Sequence, residues 1–119
     1  MKIGRKISGG RYKHPKKKKS TGRQSQARIV KIGENRVKTL RTRGGSEKNV
    51  LLAGNSCNVI IDGKAKKATI KNVIETPANV FLARQNIIVK GAVLETDLGK
   101  VKVTNRPSQE GQIQAVLVE

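Results

Sequence analysis

Apolar residues along this chain come in short runs of mostly Val, Ile and Leu, broken every few positions by Gly, Asn, Asp or Pro. Short branched-aliphatic runs bounded by turn formers are the pattern of β-strands. Residues 50–53, 57–61, 68–74, 87–89, 92–96, 100–104 and 113–118 are the expected strands, and 28–32 and 36–43 add two nearer the N-terminus. The alternation is clearest at 100–104, where Val101 and Val103 face one way and lysines the other. Asp62-Gly63 lies between two such runs and suits a type I′ hairpin turn, and Asp97-Leu98-Gly99 makes a second hairpin loop. No window sustains helical spacing, and 77–85 has room for one helical turn. Many short strands at close spacing predict an all-β fold, a small barrel or sandwich of about six to eight strands. Phe81 is the one aromatic expected in its core, so packing must rest on aliphatic side chains.

The pattern fails before residue 28. The large apolar side chains there are Met1, Ile3, Ile7 and Tyr12, scattered among Gly4, Gly9, Gly10, Gly22 and Pro15. So little apolar surface cannot offset roughly 1–2 kcal/mol of backbone entropy per residue. Residues 1–27 are therefore expected to be an arm, disordered in isolation and ordered on a partner, with 28–119 forming the barrel-like body.

Charge gives that arm its meaning. The 119 residues carry 26 Lys+Arg and 8 Asp+Glu, a net charge of +18. Twelve of the basic residues fall within positions 1–33, and the first acid is Glu34. The remainder holds 14 basic and all 8 acidic residues, a net of +6. Such an imbalance repels itself unless a polyanion neutralises it, and nucleic acid is the usual partner.

Other chemistries find little support. No stretch approaches the roughly 18 apolar residues of a membrane span. The basic N-terminus is followed by no apolar segment of a secretory signal. Cys57 is the single cysteine and is expected as a half-buried thiol of a strand or turn, in keeping with a reducing compartment. His14 sits beside Pro15 and four lysines, without the fixed partner a general base needs. One Cys and one His far apart make no zinc cluster, and no phosphate-binding glycine motif is present. Glu95 and Asp97 near a hairpin are expected to be solubilising carboxylates. Hence no catalytic residue, metal, cofactor or small-molecule substrate is expected. With Tyr12 and Phe81 as the whole aromatic supply, recognition of bases by stacking is also disfavoured. Phosphates, sugars and shape remain as the features to be read.

Four elements are candidate contacts. Lys16, Lys17, Lys18 and Lys19 are flexible point charges suited to phosphate, with Lys13 before them and Arg23 after. In Arg5, Lys6 and Arg11 the charges flank Ser8-Gly9-Gly10, whose glycines allow close approach of RNA. Arg41 and Arg43, two apart before Gly44-Gly45, are expected on one face of an extended segment, where guanidiniums grip phosphates bidentately. Finally, 105–111 is a loop offering Arg106 and side-chain amides. A basic architectural DNA-binding protein has the same charge demand, but needs a groove-entering helix, a β-ribbon or an intercalating wedge, and the pattern predicts none. A binder of anionic membranes needs a basic helix with an apolar face, which Pro15 and the arm's glycines disfavour.

These residues resemble a known family: the archaeal and eukaryotic type of small-subunit ribosomal protein eight. The resemblance is carried by 4–11 with its Ser-Gly-Gly, by Arg41-Thr42-Arg43-Gly44-Gly45, and by Thr76-Pro77-Ala78-Asn79. It continues through Arg84-Gln85-Asn86-Ile87-Ile88, Lys90-Gly91-Ala92, 95–100, Val103-Thr104-Asn105-Arg106-Pro107, Gln109-Glu110-Gly111 and Ala115-Val116-Leu117. It runs in order along nearly the whole chain and is weakest over 50–72. What it implies is a non-catalytic structural component of the small ribosomal subunit, in the cytoplasm. Its partners would be small-subunit ribosomal RNA and neighbouring ribosomal proteins. The short length resembles archaeal members, which lack the large insertion of eukaryotic ones.

Overall fold

The computed structural model describes residues 4–13, 15–22 and 27–118. Among the described residues seven strands and one short helix follow in the order β1 (Arg36–Arg41), β2 (Glu47–Ala53), β3 (Ser56–Ile61), β4 (Lys64–Glu75), α1 (Val80–Arg84), β5 (Val93–Thr96), β6 (Gly99–Val103) and β7 (Gln114–Leu117). The all-β expectation holds, in its barrel form. Strands β3 to β7 close a five-stranded barrel, and β1 and β2 form a separate two-stranded ribbon. The radius of gyration is 21.4 Å and the extents are 70 × 35 × 27 Å. A compact chain of this length would have a radius near about 13–14 Å, so the molecule is well extended.

Closure depends on β4. Its first half pairs antiparallel with β3, from Ile61↔Lys64 to Ser56↔Thr69, and its second half with β5. Within that second half the register slips past Lys71 and again past Ile74. Extra residues of this kind bend a strand and increase its twist, which a sheet needs in order to curl onto itself. Antiparallel hairpins then carry the sheet through β6 to β7, and β7 returns alongside β3 in parallel, Val59 opposite Ala115. The β3–β4 turn is the expected Asp62-Gly63, with φ of 50° and 76°, the left-handed pair that a type I′ turn requires.

The interior is filled by one inward residue in two: Cys57 and Val59 from β3, Ala68 and Ile70 from β4, Leu94 from β5, Val101 and Val103 from β6 and Ala115 from β7. Leu51, Ile88, Val30 and Ile113 pack into the same cluster from outside the barrel strands.

Four expectations are corrected. Residues 28–32 and 87–89 are not strands: Lys31 makes single bridges to Ala53 and to Ile87 and pairing stops there. Asn86, at φ 54°, reverses the chain just ahead of Ile87. Their apolar residues still serve the core, and Val30, Ile87 and Ile88 are buried. Phe81 does not enter the core; it is 66% exposed. The helix α1 is capped by the Asn79 side chain, which accepts from the Phe81 amide at 3.0 Å, and turns Leu82 and Ala83 toward the body. Phe81 is left on its outer side beside Arg84, whose guanidinium lies 6.0 Å from the ring centroid. The expected helical turn at 77–85 is thus present, but among the described residues the core holds no aromatic side chain. Cys57 is more deeply buried than expected, at 2% exposure.

Candidate nucleic-acid interface

The arm contributes the densest charge, and its local geometry follows from its glycines. The amide of Lys6 donates to the Gly10 carbonyl and that of Gly9 to the Lys6 carbonyl, both at 2.9 Å. This turn brings Arg5 opposite Arg11 as a bridge pair. Lys6 lies over the Tyr12 ring, 5.6 Å from its centroid, so that ring is engaged within the arm. Further on, Ser20–Gly22 forms a single 3-10 turn, closed by Gly22 donating to the Lys19 carbonyl at 3.0 Å. Lys16, Lys17 and Lys19 line one concavity of about 620 Å³ with Thr21 and Gly22. Lys13 and Lys18 are also exposed, and Arg23, expected with them, lies outside the described residues. Every described residue from 4 to 22 is exposed.

Arg41 and Arg43 sit at the tip of the β1–β2 ribbon. Arg41 ends β1 opposite Glu47, and Arg43 opens a 3-10 turn over Arg43–Gly45 rather than continuing an extended segment. Gly44 and Gly45 both adopt φ above 80°, which a side chain would strain. Thr42 closes the turn by donating to the Ser46 carbonyl with its hydroxyl at 2.8 Å and with its amide. The two glycines are therefore required by the turn itself. Arg36 and Lys38 extend the basic, exposed edge along β1. A two-stranded ribbon is thus present although the sequence pattern predicts none. Its inner strand is fastened to the body through buried Val50 and Leu51, so only its β1 edge and tip are open.

Arg106 lies in a loop expected to offer side-chain amides, and of these the Asn105 side chain is engaged within the loop. Its Nδ2 donates to Glu110 Oε2 and to the Gln112 carbonyl, each at 2.8 Å, and its Oδ1 accepts from the Gln114 amide at 3.0 Å. The Leu51 amide donates to the Pro107 and Glu110 carbonyls, at 3.0 and 3.1 Å, so the loop is bound to β2. Arg106 remains exposed on this rigid mount. Asp97, read as a solubilising carboxylate, also holds the fold together by accepting from the Thr69 amide at 3.0 Å.

Comparison with known proteins gives this charge distribution a context. The family described as "Ribosomal protein S8e" matches residues 1–118. The chain belongs to the ribosomal protein S8e family. Among its relatives is a "Small ribosomal subunit protein eS8" of Haloarcula marismortui, 43% identical over 97% of this chain and 94% of the relative. Others of the same name are from Halorubrum lacusprofundi, 40% identical over 97% and 94%, and Methanococcus aeolicus, 44% identical over 96% and 91%. These S8e relatives are archaeal, in keeping with the length read from the sequence.

Sequence reasoning missed the basic residues of the body. Lys64, Lys66, Lys67, Lys71, Lys100 and Lys102 are exposed on the barrel strands β4 and β6, and Arg28 and Lys90 share a cleft with Arg106. The β6 alternation was legible and would have nominated Lys100 and Lys102. Arg28 and Lys90 are 62 positions apart in sequence, and only the fold brings them together.

Proposed function

We propose that this chain is a structural constituent of the small ribosomal subunit that binds small-subunit ribosomal RNA through phosphate contacts, without catalysis. The observation that carries the reading is the S8e match over 1–118 in a chain of net charge +18 whose first 33 residues hold no acid. In this reading the unit of residues 1–27 is an arm that orders on RNA, and 28–119 is the docking body. Arg5, Lys6, Arg11, Lys13, Lys16–Lys19 and Arg23 would replace counterions between RNA helices, while Arg41, Arg43 and Arg106 contact backbone at the surface of the body. Neighbouring small-subunit proteins are the other partners, and the cytoplasmic ribosome is the location.

The test is binding of the chain to small-subunit ribosomal RNA across a salt series, with sedimentation of the tagged protein in cells. Neutralising about eight phosphates gives a slope of log K against log salt near about −6 to −7. Binding flat with salt, or recovery away from small subunits, would remove the reading. The β1–β2 ribbon is the one observation favouring an architectural DNA-binding role, since a major groove admits such a ribbon. Competition between duplex DNA and the ribosomal RNA separates the two.

A further inference from the structure

Where the arm meets the body there is a cleft of about 290 Å³, lined by Arg28, Ile88, Val89, Lys90, Arg106, Pro107, Ser108 and Gln109. Three of these residues are cationic and none is acidic. They come from three separate segments, and all three charged side chains are exposed at the opening. The floor is rigid: Ile88 and Pro107 are buried, the Ile88 amide donates to the Val30 carbonyl at 2.9 Å, and the Pro107 carbonyl is held by Leu51. Arg28 is tied across the cleft by Nη1 donating to the Ser108 carbonyl at 3.4 Å. Lys48 donates to Oε1 of Gln109, which leaves that amide's NH2 free to donate at the rim.

Cations converging on a preorganised concavity, without a carboxylate among them, make a site for an anion with several acceptor oxygens. The volume is at or below the lower end for a cleft that would enclose a small-molecule ligand, roughly 300–1,000 Å³, and the opening faces solvent. The fit is to a group presented by a larger polyanion. We propose that this cleft seats a single phosphodiester of the RNA backbone, held jointly by Arg28, Lys90 and Arg106. The assignment rests on the ribosomal RNA reading above and deepens it. Arg28 is the first charged residue of the body, so a phosphate fixed here sets the point from which the arm departs along the RNA. The described lysines of the arm are all exposed, with no buried residue beneath them.

Salt dependence counts phosphates rather than cations, and that separates one shared phosphate from three independent ones. The full chain and its R28Q, K90Q, R106Q and triple variants are titrated with small-subunit ribosomal RNA, melting temperature being checked for each. With one shared phosphate, each single variant leaves the slope nearly unchanged, and the triple variant lowers its magnitude by about one and weakens low-salt binding roughly tenfold. A fall of about one for every single variant and about three for the triple would mean three separate contacts and overturn the assignment. Full binding and an unchanged slope in the triple variant would also overturn it, while leaving the ribosomal reading intact. Failure of the unaltered chain to bind the RNA would instead remove that reading, and the cleft's role with it. A parallel titration with inorganic phosphate identifies the source of the anion. Saturation of the cleft amides at micromolar phosphate, with no effect of the triple variant on RNA binding, would make it a free-anion site and sink the phosphodiester assignment.

Discussion

Asp97 and Thr69 exchange two hydrogen bonds: the Thr69 amide donates to the Asp97 carboxylate at 3.0 Å, and the Asp97 amide donates to the Thr69 carbonyl at 3.3 Å. The pair fastens the β5–β6 turn to β4 next to Ile70, ahead of the point where the β4 register slips past Lys71. The β4–β5 ladder ends at Ile70↔Thr96, and the turn carboxylate supplies an acceptor to Thr69 just beyond that end. Replacing Asp97 by Ala should destabilise the barrel by about 1–2 kcal/mol, and Asp97→Asn, which keeps the acceptor, by less. Urea unfolding of the three proteins measures this, and equal stability would show that the bond adds nothing.

The same carboxylate reaches Cys57. Burial, and behind it the negative charge of Asp97, push the Cys57 thiol up from its ordinary 9.0 to about 11. The folded protein therefore keeps this proton between pH 9 and 11 while the unfolded chain loses it. Stability contributed by the protonated thiol is complete below pH 9 and falls as pH rises toward 11, by about 2–3 kcal/mol. Relative to Cys57→Ala, the unaltered protein should lose that much more stability over the window in urea unfolding. An aromatic disulfide reagent at pH 8 should react with Cys57 only on unfolding. Prompt labelling of the native protein would contradict the burial.

These two residues also show what a single sequence carries. Cys57 falls in a run of branched aliphatics with period two, and its inward orientation follows from that period once the strand is placed. Val101 and Val103 were legible for the same reason, as was the Asp62-Gly63 turn, because few residue pairs accept two consecutive left-handed conformations. The runs 28–32 and 87–89 were apolar enough to read as strands, but whether an apolar run finds a ladder depends on its spatial neighbours. Phe81 was misplaced because hydrophobicity alone does not say which side of a five-residue helix faces the body; that is decided by the packing of Leu82 and Ala83. The basic site was half visible. Charge runs such as Lys16–Lys19 announce themselves, whereas Arg28, Lys90 and Arg106 become one cleft only through the fold.

Thr76 is 1% exposed, and its hydroxyl has no hydrogen-bond partner among the described residues. Its carbonyl, by contrast, accepts from the Asn79 amide at 3.1 Å and starts the turn into α1. Thr76→Val removes the unsatisfied hydroxyl, keeps the shape and leaves the backbone bond alone. The variant should be as stable as the unaltered protein or gain up to about 1 kcal/mol in urea unfolding. A loss of more than that would reveal a partner for the hydroxyl.

Every described residue from 4 to 22 is exposed, and the buried hydrophobic cluster begins at Val30. Deleting 1–22 should therefore leave the melting temperature within about 2 °C while reducing the magnitude of the RNA salt slope by several units. Calorimetry and the salt series together check both halves. A large drop in melting temperature would make the arm part of the body's structure.

Asn105 separates stability from recognition in the loop that bears Arg106. Its amide makes three hydrogen bonds, to Glu110 Oε2, the Gln112 carbonyl and the Gln114 amide, and so ties the start of the loop to its end and to the first residue of β7. Asn105→Ala should cost about 2 kcal/mol of stability and also weaken RNA binding, because the loop positions Arg106 without Asn105 needing to meet the RNA. In Asn105→Asp a second carboxylate faces Glu110 and the donor to Gln112 is lost. That variant should be at least as destabilised at pH 7. Arg106→Gln should act the other way, leaving urea unfolding unchanged and altering RNA binding only. If Asn105→Ala proved fully stable yet bound RNA poorly, Asn105 would have to be counted as a direct contact, and the loop would be held by its bonds to Leu51 alone.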